Sequence, residues 1–483
     1  MIRLRYACLL FALFTPFPAF ASSDALAPLA YTPSPLPTRG AAWVSPTGSD
    51  TTGNGSETQP FLTVERASQA PSITTILLTP GRHTQFGTIR RGGSAQEPLV
   101  IRSASTGTVE IVVQDATRPT TITASHVRLE GITLQGGEAG SPETCLQLSG
   151  DLDDIELAFV RIRGCETGMH LGQGAISHLV MRDSFFTDLA FSAIDGSEAA
   201  SLHHRLERVQ IERIGHSSQS AIAVRVSDRS RDIRWRDVIV RDVEGHGAIF
   251  FGARPSIANS QFMQIRDTAL TLHHGGYLAR VDIAALHEGL RARVGENLVI
   301  ERSLLRALAA TSTTLVIEEP SAPSQTTGTL LLAYSRIEVP TSTLVLGAAS
   351  SAHEVVWQSD VFWFSHEATR IRLPGGVELT PEESAQSSRI VREGNSQLLY
   401  GSANQNDLFD PFFKGGETVH GDNGTRVISA GSQLQGETNG GLYVFGVDDR
   451  AHFVPSLEQR DRWYTQGEVN ILKEARLGDI PRG

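Results

Sequence analysis

Val127-Arg-Leu129-Glu-Gly-Ile132-Thr-Leu134, Ile233-Arg-Trp235-Arg-Asp-Val238-Ile-Val240 and Leu298-Val-Ile300-Glu-Arg-Ser303-Leu-Leu305 are three copies of one pattern. Each copy alternates apolar with other residues through two short runs joined at a two-residue turn (Glu130-Gly131, Arg236-Asp237, Glu301-Arg302). Alternation of period two is the signature of strands with one buried face. Aligning the second apolar position along the chain gives residues 129, 157, 181, 206, 235, 257, 278, 300, 332 and 357, about 25 residues apart on average. A period of that length means a solenoid, in which each repeat buries its apolar face only against its neighbours.

A third run follows the first two: Gly168-Met169-His170-Leu171, Ala193-Ile194-Asp195-Gly196, Ala221-Ile222-Ala223-Val224, Ala248-Ile249-Phe250-Phe251, Ala269-Leu270-Thr271-Leu272 and Gly289-Leu290-Arg291-Ala292. Leucine-rich repeats have a similar period but require an Asn- or Cys-bearing LxxLxL core, which is missing. Three strands per repeat point to an all-β chain, a single-stranded parallel β-helix of roughly ten to twelve coils stacked ~4.8 Å apart. No helix longer than about three turns is expected between 42 and 375.

Around this rod the chain divides into four parts. Residues 1–21 have Arg3 and Arg5, an apolar stretch from Tyr6 to Phe14 and the small-x-small site Ala19-Phe20-Ala21, as in a cleaved secretory signal. The apolar stretch is too short to span a bilayer, so no membrane span is expected after cleavage, and the mature protein should be secreted or periplasmic. Cys8 lacks the sequence context of a lipoprotein anchor. Residues 22–41, with Pro28, Pro33, Pro35 and Pro37, read as a stiff linker, 42–375 as the β-helix, and 376–483 as a C-terminal cap covering its last coil. Export makes Cys145 and Cys165 candidates for a disulfide. Cys145 aligns with Gly168 of the next coil and Cys165 lies three residues before that glycine, so the two can come within bridging reach.

Composition narrows the function. The 483 residues carry a net charge of -11, which argues against nucleic acid as a partner. Of 42 basic residues only Lys414 and Lys473 are lysines, so a lysine base is excluded from the coils.

The segment before the repeats, Trp43-Val-Ser-Pro-Thr-Gly-Ser-Asp50, Gly53-Asn-Gly55 and Gln59-Pro-Phe-Leu-Thr-Val-Glu-Arg-Ala67, resembles the opening motif of right-handed β-helix proteins of the pectate-lyase-like superfamily. Leu78-Thr-Pro-Gly81 and Glu97-Pro-Leu-Val-Ile-Arg102 look like the first coils of that superfamily. The resemblance covers roughly 43–375. It implies a right-handed winding but not one chemistry, because the superfamily spans lyases, hydrolases, epimerases, tailspikes and adhesins. Gly245-His246-Gly247 resembles the Gly-His-Gly of polygalacturonases, yet the Asn-Thr-Asp, Asp-Asp and Arg-Ile-Lys motifs of that family are missing. The paired carboxylates of glycoside hydrolysis are therefore not identified, and a turn needing flexible glycines is the simpler reading.

In the superfamily the third strand carries the substrate groove. If Met169, Ile194, Ile222, Ile249, Leu270 and Leu290 point inward, the outward rows hold His170, Asp195, Phe250, Thr271 and Arg291, then Arg225, His273 and Arg293. Arg291 and Arg293 suit a carboxylate, His273 is placed to move a proton, and Arg225, Phe250, Asp195 and His170 are expected to contact substrate. This favours an acidic polysaccharide and a lyase or C5-epimerase, the alternatives being a non-catalytic glycan-binding or cell-surface β-helix. No cofactor is expected; calcium is the alternative for neutralising a uronate carboxylate, but no Asp-x-x-x-Asp cluster supports it, and His203-His204 and His273-His274 project to opposite faces, so neither pair alone holds a metal.

Overall fold

The computed structural model describes residues 29–84, 86–113, 119–137, 144–215, 221–252, 254–293, 298–301, 303–307 and 313–318, and then strand segments as far as 451–455; side chains are described up to residue 316. The signal sequence expected over 1–21 lies outside the described residues.

The repeat pattern is the register of the fold. Leu129 pairs with Leu157, Leu157 with Met181, Met181 with Leu206, Leu206 with Trp235 and Trp235 with Ile257. The same row continues through Leu278, Ile300, Leu332 and Trp357, always between parallel strands. It also extends backwards through Ile101 and Ile76 to Ala42. The chain is thus a parallel β-helix with three strands per coil, as the repeat pattern predicts. First and second strands of each coil belong to one 25-stranded sheet, and third strands make a 13-stranded sheet facing it. Aliphatic side chains from both sheets meet in one continuous core, with Leu129, Leu157, Ile257, Leu278 and Ile300 fully buried.

Bends between strands recur at fixed places and use left-handed backbone. Gly131, Phe159, Asp183, Arg208 and Asp237 turn first strand into second, with φ from 50 to 66°. A second left-handed row, with φ from 50 to 58°, kinks the first strand itself at Asp154, His178, His203 and Asp232 and directly precedes it at His126. Asp and His tolerate this conformation better than most side chains.

The first coil is closed by the only helix among the described residues, Val64–Ser68, which buries Val64 and Ala67 over the core. Thr63 caps it by accepting from the Arg66 amide, and Asp50 accepts from the Leu62 and Thr63 amides at 2.9 and 3.0 Å. Residues 29–37, expected as linker, lie against the rod. The Leu29 amide donates to Asp183 (3.1 Å), the Tyr31 ring sits 5.6 Å from that of Phe159, and Arg102 donates to the Pro35 carbonyl (2.8 Å).

Beyond 375 the parallel ladder carries on, with Ile390–Glu393 on Glu354–Gln358 and Gln397–Tyr400 on Val361–Phe364. Two small antiparallel sheets follow, at 418–427 and 437–455. Among the described residues no helix is long and apolar enough to cross a membrane.

Candidate functional site

The outward row of the 13-stranded sheet brings three ionisable side chains onto successive coils. His170 pairs with Asp195, and Asp195 with Arg225. The row continues through Ile249 and Thr271 to Arg291, and backwards through Gln147 to Thr121. Each strand here, from Thr167–Leu171 to His246–Phe250, buries the residues on either side of its row position, so the row side chains stand outward.

The centre of the row is a His–Asp–Arg ladder. His170 Nδ1 stands 3.8 Å from Asp195 Oδ2, an ion-pair distance, with only 23 % and 18 % of the two side chains exposed. The Asp195 carboxylate raises the proton affinity of His170 against the opposing effect of burial. Burial alone would push the Asp195 carboxyl up. His170, the Ser197 amide at 3.1 Å and the charge of Arg225 outweigh that and hold it down, at about 2. Arg225 Nε is buried and has no hydrogen-bond partner. An imidazole inclined to hold a proton, a fixed carboxylate behind it and a guanidinium one coil away can bind an anion and move a proton beside it.

Other expectations need correction. Phe250 does not contact the groove: it is fully buried, with its ring 5.1 Å from Trp235, and Ile249 takes its outward place. The physical reason is volume, since the coil interior at Trp235 and Phe262 accepts a ring that would otherwise face water. The inward partner of Ile194 is Val224, not Ile222, which moves Arg225 into the row of Asp195. Arg291 is outward as expected, but its guanidinium is engaged by Glu288: Nε donates to Oε2 at 2.7 Å and Nη2 to Oε1. Glu288 is itself buried and receives the Thr268 hydroxyl at 3.0 Å. Burial works to raise the Glu288 pKa, and the Arg291 guanidinium brings it below the usual range.

His273 lies just past the strand Thr268–Leu272, where its amide donates to the Phe250 carbonyl and its ring stacks 4.8 Å from Phe251. Arg293 pairs by register with Glu318, and its side chain lies outside the described residues. The structure therefore gathers His170, Asp195 and Arg225, and leaves Phe250 and His273 off the row. Thr271 stands in the row as expected, whereas Gln147 and Ile249 are row members that the sequence does not mark: Gln147 is indistinguishable from an ordinary surface residue, and Ile249 reads as a core residue.

Gly245 and Gly247 owe their identity to close packing, not to flexibility. A Cβ on Gly245 would stand 2.1 Å from the Ala221 carbonyl oxygen, and one on Gly247 2.2 Å from that of Ala269. His203 and His204 diverge as expected. His204 is buried inside the coil, where its Nε2 donates to the Ile176 carbonyl at 3.0 Å and burial lowers its pKa to about 4, whereas His203 faces solvent. Cys145 and Cys165, both buried, have Cα atoms 5.9 Å apart and sulfurs in contact.

No protein-family model matches the chain, and no curated protein matches it. Among solved structures it is similar to the catalytic domain of a GH87 α-1,3-glucanase with bound tetrasaccharides (9 % identity, 76 % of this chain and 71 % of that one, TM-score 0.45). It is also similar to the pectate lyase Pel9A (13 %, 83 % and 92 %, TM-score 0.33) and to an alginate lyase from Paenibacillus sp. str. FPU-7 (12 %, 63 % and 92 %, TM-score 0.30). Likeness at this level concerns the winding of the chain alone.

Proposed function

We propose that this protein is an exported, carbohydrate-active β-helix protein that acts on an acidic polysaccharide, as a lyase or C5-epimerase working at His170, Asp195 and Arg225. The observation that carries the reading is the ladder itself: imidazole, carboxylate and guanidinium in one outward row on three successive coils, with His170 3.8 Å from Asp195. In this reading Arg225 binds the uronate carboxylate and offsets the charge that builds on it when the C5 proton leaves. His170 takes that proton, and Asp195 fixes the ring and stabilises its charged form. Ile249 and Thr271 continue the row as the floor of the next subsite. A net charge of -11 opposes a polyanion at long range, so binding would depend on the local arginine and weaken little as salt screens the rest.

The competing reading is a non-catalytic glycan-binding rod. Because Arg291 is held by Glu288, both readings rest on Arg225 as the cation presented to a ligand. Purified mature protein incubated with alginate, pectate and glycosaminoglycans, and followed by the absorbance of unsaturated uronates, separates the two. Under the enzyme reading His170→Ala lowers turnover roughly 10²–10⁴-fold with little change in affinity, and Arg225→Ala weakens binding by about 1.5–3 kcal/mol. Binding that persists without any turnover, and that needs Arg225, would support the binding module.

A further inference from the structure

Away from this row, on the 25-stranded sheet, a left-handed kink in or just before the first strand puts an imidazole or a carboxylate on each of five coils: His126, Asp154, His178, His203 and Asp232. Backbone conformation explains why His and Asp are accepted there. It does not explain how their side chains are arranged. The His178 and His203 rings stack face to face, 5.0 Å between centroids and 15° between planes, with 59 % and 54 % of the side chains exposed. Each ring has its Nδ1 occupied: His178 by Asp153 Oδ1 and His203 by Asp232 Oδ2, both at 2.7 Å. A neutral imidazole that donates from Nδ1 to a carboxylate carries its lone pair on Nε2, and this carboxylate–imidazole arrangement orients histidine for metal ligation.

We propose that His178 and His203 form a two-imidazole binding site for a divalent transition-metal ion of the Cu²⁺ or Zn²⁺ class, with Asp153 and Asp232 as its supporting carboxylates. The protein supplies the two imidazole donors, and water would complete the set. Two nitrogens each about 2.0–2.1 Å from one ion must approach within roughly 4 Å of each other. In the stack the two Nε2 lone pairs run side by side, so binding one ion requires the two rings, each more than half exposed, to tilt out of their parallel stack until both nitrogens face it. Imidazole donors suit Cu²⁺ best among the first-row divalent ions, which makes it the sharpest probe. The bound ion would add a side-chain link between two neighbouring coils whose strands already pair through their backbones.

The test is titration of untagged, chelator-treated mature protein with Cu²⁺, read by electron paramagnetic resonance. The first equivalent should show coupling to two nitrogens. His178→Ala and His203→Ala should each lower affinity at least tenfold and reduce the coupling to one nitrogen. Asp153→Asn should weaken binding about 10–100-fold, the usual cost of losing a supporting carboxylate. His126→Ala, whose ring is held by Asp154 at 3.1 Å, should leave the first equivalent unchanged. His178, His203 and Asp153 are exposed and His126 is half-buried, and an unchanged far-ultraviolet spectrum without metal verifies the fold of each variant. No binding, or a first equivalent that binds equally well in the His178→Ala/His203→Ala double variant, would overturn the site.

Discussion

Replacing Asp195 by asparagine removes one charge from the centre of the ladder and keeps its shape, including an acceptor for the Ser197 amide. The carboxyl is held at about 2 against an ordinary 3.8, a difference worth roughly 2.4 kcal/mol. The His170–Asp195 separation of 3.8 Å and partial exposure of both side chains reduce this, to about 1–2 kcal/mol. The sign follows from the direction of each change. A depressed carboxyl contributes its stability in full above its unfolded pKa, near 4, and loses it as pH falls towards 2. A raised imidazole contributes in full below its unfolded value, near 6.5, and loses its share as pH climbs through the folded one. The gap between wild type and Asp195→Asn should therefore be widest between about pH 4 and 6.5 and narrow on either side. Urea unfolding at a series of pH values measures the gap, and histidine-selective NMR follows the His170 titration, which should drop on losing the carboxylate. A gap independent of pH, or a His170 titration indifferent to Asp195→Asn, would refute the pairing on which the site rests.

Phe250→Ala should destabilise the rod by about 3–5 kcal/mol, the cost of emptying a core ring site, whereas a groove residue would lose almost nothing; chemical unfolding distinguishes these. Gly247→Ala should lower the melting temperature by several degrees, because its Cβ would stand 2.2 Å from the Ala269 carbonyl oxygen of the next coil. Cys145 and Cys165 should show no free thiols when the mature protein is unfolded without reductant, and two reactive thiols would remove the bridge.

The first two strands of each coil were legible from the sequence because they alternate cleanly: in Ile233-Arg-Trp235-Arg the apolar side chains can face only one way, and the register is that of the alignment. The third strand is harder to read where both faces are apolar. In Ala221-Ile222-Ala223-Val224 nothing before Arg225 marks a face, so the alignment slipped by two residues. In Ala248-Ile249-Phe250-Phe251 parity is undefined, and the choice fell on the larger side chain, which the core had claimed. Arg291 was readable because Leu290 and Ala292 flank it. Its partner Glu288 was not, since a carboxylate three residues earlier can face solvent or fold back onto a guanidinium. The His170–Asp195–Arg225 ladder depends on which coils lie next to each other, and an error of two residues in one coil was enough to disperse it.

Removal of a C5 proton from a polyuronate by His170 is observable by proton NMR of the sugar in D2O, whether a lyase or an epimerase completes the reaction. With wild-type protein the C5 proton signal of one acidic polysaccharide should disappear, through elimination to a C4–C5 double bond or through deuterium entering at C5, and His170→Ala should slow the loss roughly 10²–10⁴-fold. A C5 signal that persists with wild type on every polyuronate offered, or that decays equally fast with His170→Ala, would exclude His170 as the base.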